Sequence, residues 1–317
     1  MANKLYNEDS IQAIADAIRE KNGLTDTYQV SEMAAAILDL AGESQEPALV
    51  ARTITDYSND AVLAVGDYAF YQHAMLTRLA LANARSIGDY ACYICEVLME
   101  IDLPKATSIG ANAFCNCDVL AAADLPKATN IGEAAFRNSE ALATINLPLA
   151  ETISRYAFAS CEALAAADLP EATTLGDYAF NSCTKLASVS IPKVTRINNY
   201  TFSGDTSLAS VNVPLVSYIG AYAFQTCKAL TTITLPSVTS IGQRVFYYCE
   251  NLAEVVITQE ESICTLATSD VFKGTPIESG NGFIYLPDDK VDTYKSETNW
   301  SVYADQIKGL SEREVAA

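Results

Sequence analysis

The chain has 317 residues, half of them hydrophobic and only 19% charged, a composition that folds around a sizeable core and excludes intrinsic disorder. Its 39 acidic side chains outnumber 20 basic ones, and the formal charge of −19 sets up a field that repels nucleic acid and anionic membranes alike. No stretch approaches the ~18 apolar residues that span a bilayer, and the start, Met1 to Ser10, lacks the apolar core of a signal peptide, so neither membrane insertion nor classical secretion is expected.

Residues 1–43 do not repeat. Asp9-Ser10 can cap a helix that lines Ile11, Ile14, Ala15 and Ile18 along one face and stops at Gly23. Ser31 opens a second helix through Met33, Ile37 and Leu40. Two short helices bury little, so 1–43 is read as an anchoring or assembly module that packs on a partner or on its own copies. The string Ile14-Ala-Asp-Ala-Ile-Arg-Glu-Lys-Asn-Gly23, with Ser31-Glu-Met-Ala-Ala-Ala-Ile37 after it, resembles a short N-terminal module of tail-associated proteins from phages of Gram-positive bacteria. That resemblance implies a virion partner and a place in the virion or tail after cytoplasmic assembly. Residues 41–47, Ala-Gly-Glu-Ser-Gln-Glu-Pro, read as a linker.

From residue 44 to 257 the chain is organised by one lattice. Phe70, Phe114, Phe136, Phe158, Phe180, Phe202, Phe224 and Phe246 recur with a period of 22, and Cys92 fills the rung without Phe. Six residues after each comes Leu76, Leu98, Leu120, Leu142, Leu164, Leu186, Leu208, Leu230 or Leu252, which gives nine full repeats. Within Leu186-Ala-Ser-Val-Ser-Ile-Pro192 the alternation predicts a short strand with Leu186, Val189 and Ile191 inward and Ser188 and Ser190 outward. Pro192, and its copies at 104, 126, 148, 170, 214 and 236, ends the strand because it has no N–H to give to a ladder. A second short apolar segment (Val194, Ile197) follows. Next comes Gly66, Gly88, Gly110, Gly132, Gly176, Gly220 or Gly242, read as a corner with positive φ, with Ser154 and Asn198 on the two remaining rungs. A short helical turn carrying the Ala-Phe pair is expected to close each coil.

One such unit cannot bury its own apolar face, so stacked units share a continuous core and need caps. The pattern Ile109-Gly110-Ala-Asn-Ala113-Phe114-Cys-Asn-Cys117-Asp-Val-Leu120, followed by Leu125-Pro126, resembles the BspA-type leucine-rich repeats. The resemblance implies a right-handed leucine-rich-repeat solenoid used for adhesion to proteins, cells or extracellular matrix, and no catalytic residues. After Ile257 the strand proline gives way to Thr258 and the period breaks. Gly282 to Pro287 reads as a final strand, and Val291, Tyr294, Trp300, Tyr303 and Ile307 are placed on helical segments of a C-terminal cap, 258–317.

Nine cysteines in a large chain without a secretion signal are read as reduced, buried thiols. Six of them (Cys95, Cys117, Cys161, Cys183, Cys227, Cys249) form a column in which His73, the sole histidine, also stands. Cys92, Cys95, Cys115 and Cys117 have zinc-like spacing, but four positions of the lattice would have to leave the coil to meet on one ion, so no metal or cofactor is expected.

Two outward columns are candidate binding residues. One runs Asp102, Asp124, Asn146, Asp168, Ser190, Asn212 and Thr234 beside Glu100, Ala122 and Thr144, grading from acidic to hydroxyl and amide. It suits carbohydrate or protein recognition; alternatively Asp102 and Asp124 pair with Lys105 and Lys127 and the rest is ordinary solvated strand. The other holds Tyr156, Tyr178, Tyr200 and Tyr222 on consecutive rungs, with Tyr68 and Tyr90 earlier. These rings either form a stacking platform for sugars or a protein contact, or they only cover one another. A glycan hydrolase using Asp102 and Asp124 is set aside because an open, flat face does not desolvate a carboxylate. The expected function is therefore non-enzymatic binding, with a host-cell surface protein or glycan as ligand and homo-oligomerisation through 1–43. The alternative is a bacterial adhesin or cytoplasmic scaffold unrelated to a phage, reaching any surface by a non-classical route.

Overall fold

The computed structural model describes residues 54–313; the helices expected within 1–43 and the linker at 41–47 lie outside the described residues. Among the described residues, twelve strands of three or four residues, from Asp56–Ser58 to Ile307–Gly309, succeed one another along the solenoid, and ten two-residue strands, from Ala64–Val65 to Thr265–Leu266, form a second series. Paired neighbours are parallel, and up to Glu254–Val256 on the long strands and Ser240–Ile241 on the short ones they keep the register of the repeat, as in Ser188↔Ser210, Val189↔Val211 and Ser190↔Asn212. The strand alternation is as the sequence requires: Leu186, Val189 and Ile191 are buried, Ser188 is exposed and Ser190 half-buried.

The segment around each Phe is not helical. In the rung of Phe158, Tyr156, Phe158 and Ser160 donate their N–H groups to carbonyls of the next rung, at Asp177 (3.1 Å), Ala179 (2.8 Å) and Asn181 (2.8 Å). The residues between them turn inward: Ala157, Ala159 and Cys161 donate to the carbonyls three positions back. Alternate N–H groups thus serve the turn and the ladder. Two of the three residues whose N–H reaches the next rung, Tyr156 (φ 56°) and Ser160 (φ 60°), are left-handed, and Phe158 between them is not. A helix would send all of these N–H groups back along its own chain and leave neighbouring coils without a third row of hydrogen bonds.

The glycine column is needed for a different reason from the one expected. The left-handed residues stand two positions later (Tyr68, Asn112 or Tyr222, for example) and six positions later (Gln72 or Thr226), and not at the glycines of this column. A Cβ on Gly132 would lie 2.6 Å from the Gly110 carbonyl carbon and 2.8 Å from the Ala111 nitrogen, so a side chain at that rung would force the adjacent backbones to shift. Ser154 keeps the backbone bond of the column, to the Ile131 carbonyl (3.0 Å), whereas Asn198 does not. Its amide Nδ2, in place of a backbone N–H, reaches the Leu175 carbonyl, and the row of short strands breaks between Thr174–Leu175 and Arg196–Ile197.

Buried phenylalanines run down the axis. From Phe114 to Phe246 and on to Phe272, successive rings stack 5.2–5.7 Å apart. Phe272 continues the stack 26 residues after Phe246, so the coil runs on past Ile257 with its spacing stretched. The last coil is closed by aromatic side chains that serve its backbone. Trp300 Nε1 donates to the Cys264 carbonyl (2.7 Å), and the Tyr294 hydroxyl accepts from the Cys264 N–H (2.7 Å). The Tyr303 hydroxyl donates to the Ser269 carbonyl (2.6 Å). Tyr294 lies in the helix Val291–Ser296 and Tyr303 in a single 3-10 turn, whereas Ile307, expected on a helix, lies in the final strand.

Replacing Phe158 by Ala is expected to cost about 3–5 kcal/mol in urea unfolding, the usual range for a buried aromatic. Gly132→Ala is expected to lower the urea midpoint clearly while Gly66→Ala, with nothing within 4 Å of the added carbon, leaves it nearly unchanged. Equal losses at both sites would return the column to a backbone-dihedral explanation.

Candidate functional site

The strand face begins acidic and is partly neutralised from within. Arg78 sits among three carboxylates, 3.0 Å from Glu100, 3.5 Å from Asp56 and 3.9 Å from Asp102. Asp124 accepts a hydrogen bond from the Asn146 amide one rung on, at 2.7 Å. The pairing with Lys105 and Lys127 does not form: Lys105 donates to Asn83 instead, at 2.7 Å. A lysine just beyond the strand proline points to its own column, and its rung neighbour is the nearest acceptor. Asp168 is exposed between Asn146 and Ser190. The carboxylates of Asp102, Asp124 and Asp168 therefore remain on an open surface, with half of the Asp102 side chain exposed.

The tyrosine column is a row of stacked rings. Tyr156–Tyr178, Tyr178–Tyr200 and Tyr200–Tyr222 lie 4.7, 4.6 and 4.8 Å apart, within 24° of parallel. Their left-handed backbone, a conformation costing roughly 1–2 kcal/mol for a residue with a Cβ, places each ring over the next. The inner rings have no free face, which closes the row to a sugar stacking on it. Guanidinium groups close the ends as well. Arg155 and Arg137 lie 4.6 and 5.2 Å from the Tyr156 ring centre, and Arg244 donates to the Tyr222 hydroxyl (3.0 Å) while paired with Asp270 (2.6 Å). What the row presents is its edge. Arg155 also donates to the Tyr156 hydroxyl (3.2 Å), but the half-buried Tyr178 and Tyr200 hydroxyls have no hydrogen-bond partner among the described residues. Partial burial, then the neighbouring phenols, pushes both above the ordinary tyrosine value, so they stay neutral donors.

Sequence reasoning found Tyr68 and Tyr90 but missed the arginine ends and the Tyr71–Tyr93 pair beside them. Tyr68 stacks on Tyr90 (5.0 Å) and Tyr71 on Tyr93 (5.4 Å), and the two pairs meet edge-on. Tyr71 and Tyr93 are 22 residues apart, the signal that could have found them. The tyrosine row lies on the turn segments and the aspartates on the long strands, so the two candidate columns are not brought into one site.

The sequence matches the BspA type leucine rich repeat region in six copies, over residues 63–187 and 173–283. The chain belongs to the BspA-type leucine-rich repeat family. No curated protein matches it. Among solved structures it is similar to a leucine rich cell surface protein from Faecalibacterium prausnitzii, at 20% identity over 80% of this chain and 82% of that one, TM-score 0.42. A leucine-rich repeat protein from Bacteroides ovatus aligns at 22% identity over 78% and 88%, TM-score 0.30. The T. pallidum leucine rich repeat protein aligns at 27% identity over 53% and 72%, TM-score 0.36.

Inside this BspA-type coil the cysteine column is a hydrogen-bond device. Cys95, Cys161, Cys183, Cys227 and Cys249 each donate Sγ–H to the carbonyl of the Phe-column residue one rung back, at 2.9–3.2 Å. Cys117 does the same to Cys92 (3.3 Å), and Ser139 fills the role with its hydroxyl (2.9 Å to Phe114). Burial pushes the thiols of Cys117, Cys161 and Cys183 up and keeps them protonated donors. His73 is buried at the top of the column, its ring edge-on to Phe70.

Asp205 breaks the rule. It is fully buried; Oδ1 accepts from the Cys183 N–H (2.8 Å) and Oδ2 has no partner. Burial raises its carboxyl well above the ordinary 3.8, against the smaller lowering effect of that hydrogen bond. An unfolded chain ionises this group from about pH 3.8 upward while the folded chain holds the proton. Each further rise in pH up to the folded value therefore favours unfolding. Asp205→Ser, which restores the donor found at Ser139, is expected to raise the melting temperature at pH 7, and the gain should shrink toward pH 3 as both states of Asp205 become neutral. A gain independent of pH would show that packing and not the proton is responsible.

Proposed function

We propose that this BspA-type repeat protein is a non-enzymatic binding protein of the adhesin kind, which contacts a host-cell surface protein or glycan along the edge of the Tyr156–Tyr222 row. The observation that carries this reading is the pair of unpartnered hydroxyls on Tyr178 and Tyr200, held 4.6 Å apart ring to ring on a rigid support. Ordering such groups on binding costs little entropy because stacking has already fixed them. Homo-oligomerisation and attachment to a virion through residues 1–43 rest on the sequence resemblance of Ile14 to Ile37. Without that anchor the same surface would serve a bacterial adhesin or interaction scaffold. The exposed Asp102, Asp124 and Asp168 lie on an open strand face, which favours binding over a carboxylate-driven hydrolysis.

Labelled full-length protein incubated with a panel of Gram-positive cells is expected to bind a restricted set of strains. The double substitution Tyr178→Ser, Tyr200→Ser should weaken that binding at least tenfold, about 1.4 kcal/mol, with the fold verified by circular dichroism. Binding to no strain would remove the adhesin reading, and full binding by the variant would remove the tyrosine row from it.

A further inference from the structure

We propose that the early rungs carry a second docking surface, separate from the tyrosine row, for a protein segment that combines basic and apolar side chains. Met75, Val97 and Val119 occupy one column on three successive rungs, and Met99 stands two residues beyond Val97 on the other side of the buried Leu98. All four are large apolar side chains left 37–57% exposed. Strand pairing brings the rungs within about 4.8 Å of one another, as the register Arg78↔Glu100 and the Met99 N–H to Thr77 carbonyl bond (2.9 Å) show. The four therefore stand close together on adjoining rungs and are not scattered singly over the surface.

Charge identifies what covers it. One position before the Met75–Val119 column stand Glu96 and Asp118, and the same column continues with Glu140 and Glu162. None of these four exposed carboxylates is in an ion pair among the described residues. Beyond Met99 lie Glu100, Asp102 and Asp124, where Arg78 alone faces Asp56, Glu100 and Asp102. The apolar patch is thus bordered by carboxylates on both sides. The large apolar side chains end at Val119, after which the column passes through Ala141 and Ala163 to Lys185; the carboxylates run two rungs further, to Glu162, before Thr184, Thr206 and Lys228. An anionic lipid, nucleic acid or acidic protein would be repelled at this place. A segment with lysine or arginine flanking leucine-like side chains would neutralise the rows and bury the methionines, whose flexible thioethers adapt to varied apolar partners.

The test uses the full-length protein and a fluorescent peptide of alternating Lys and Leu, with Lys/Ser and Glu/Leu peptides of the same length beside it. Anisotropy titration is expected to show binding of the Lys/Leu peptide, at least tenfold weaker binding of Lys/Ser, and none of Glu/Leu. Met75→Ser, Val97→Ser, Met99→Ser together should weaken Lys/Leu binding at least tenfold. Glu96→Gln, Asp118→Asn, Glu140→Gln should weaken it and flatten its dependence on salt up to about 1 M, where the screening length is about 3 Å. Glu260→Gln, Glu261→Gln, exposed residues far along the chain, should leave it unchanged. Equal binding of Lys/Ser and Lys/Leu, or equal loss in the Glu260, Glu261 variant, would mean that only the overall charge attracts the peptide and would overturn the proposal. So would full affinity in the serine variant. Cell binding through the tyrosine row is read separately, so either reading can fail alone.

Discussion

Parallel pairing in a fixed register of 22 residues places each side chain directly over its own copy in the next coil, and the rest of the molecule follows from that constraint. A column must be chemically tolerant of itself at about 5 Å. Phenylalanine rings meet this by stacking at 5.2–5.7 Å, and the cysteine column by handing each thiol proton to a carbonyl one rung back. Glycine meets it where the backbones come too close for a Cβ. A column of like charge does not tolerate itself, and the chain answers in two ways. Arg78 interleaves with carboxylates on the strand face, while Glu96, Asp118, Glu140 and Glu162 have no ion pair among the described residues. A solenoid that retains such a row beside exposed methionines keeps a surface whose energy falls when something basic covers it.

The ends of the ladder are where the constraint is released, and the C-terminal end shows how. The last coil has N–H and carbonyl groups with no further rung to receive them, and Trp300, Tyr294 and Tyr303 receive them with one polar atom each while their rings shield the end of the phenylalanine stack. Large amphipathic rings are suited to this because a single side chain supplies both cover and a hydrogen bond. Where a rung departs from its column the ladder gives locally. Asn198 substitutes its side-chain amide for its backbone, and Asp205 holds a proton it would lose in water. Both departures lie within eight residues of one another, in the rungs under the tyrosine row.

The tyrosine row shows how an aromatic stripe can change meaning when it is built. Four tyrosines on consecutive rungs suggest faces for a ligand, yet the spacing that aligns them also makes each the cover of the next. Recognition is left to the ring edges and hydroxyls, a narrower and more directional surface than a stacking platform.

How much of this was written in the sequence follows from what a 22-residue period can encode. The Phe, Leu and Pro columns reveal the coil, its inward residues and its parallel strands, because burial repeats whenever the register repeats. The tyrosine row and the acidic early rungs are equally legible as columns. Periodicity does not say which backbone conformation a repeated residue adopts: it points to Gly for the left-handed bend that Tyr carries, and to a helix where the chain makes a turn with alternating hydrogen bonds. Nor does it survive an insertion, so the coil through Phe272 was hidden by four extra residues. Partners across rungs were beyond it as well: Lys105 chose Asn83 over Asp102, and arginines closed the tyrosine row, because those choices depend on which atoms come within about 3 Å in three dimensions. Sequence determined what stacks; only the folded coil decided which faces of the stack remain open.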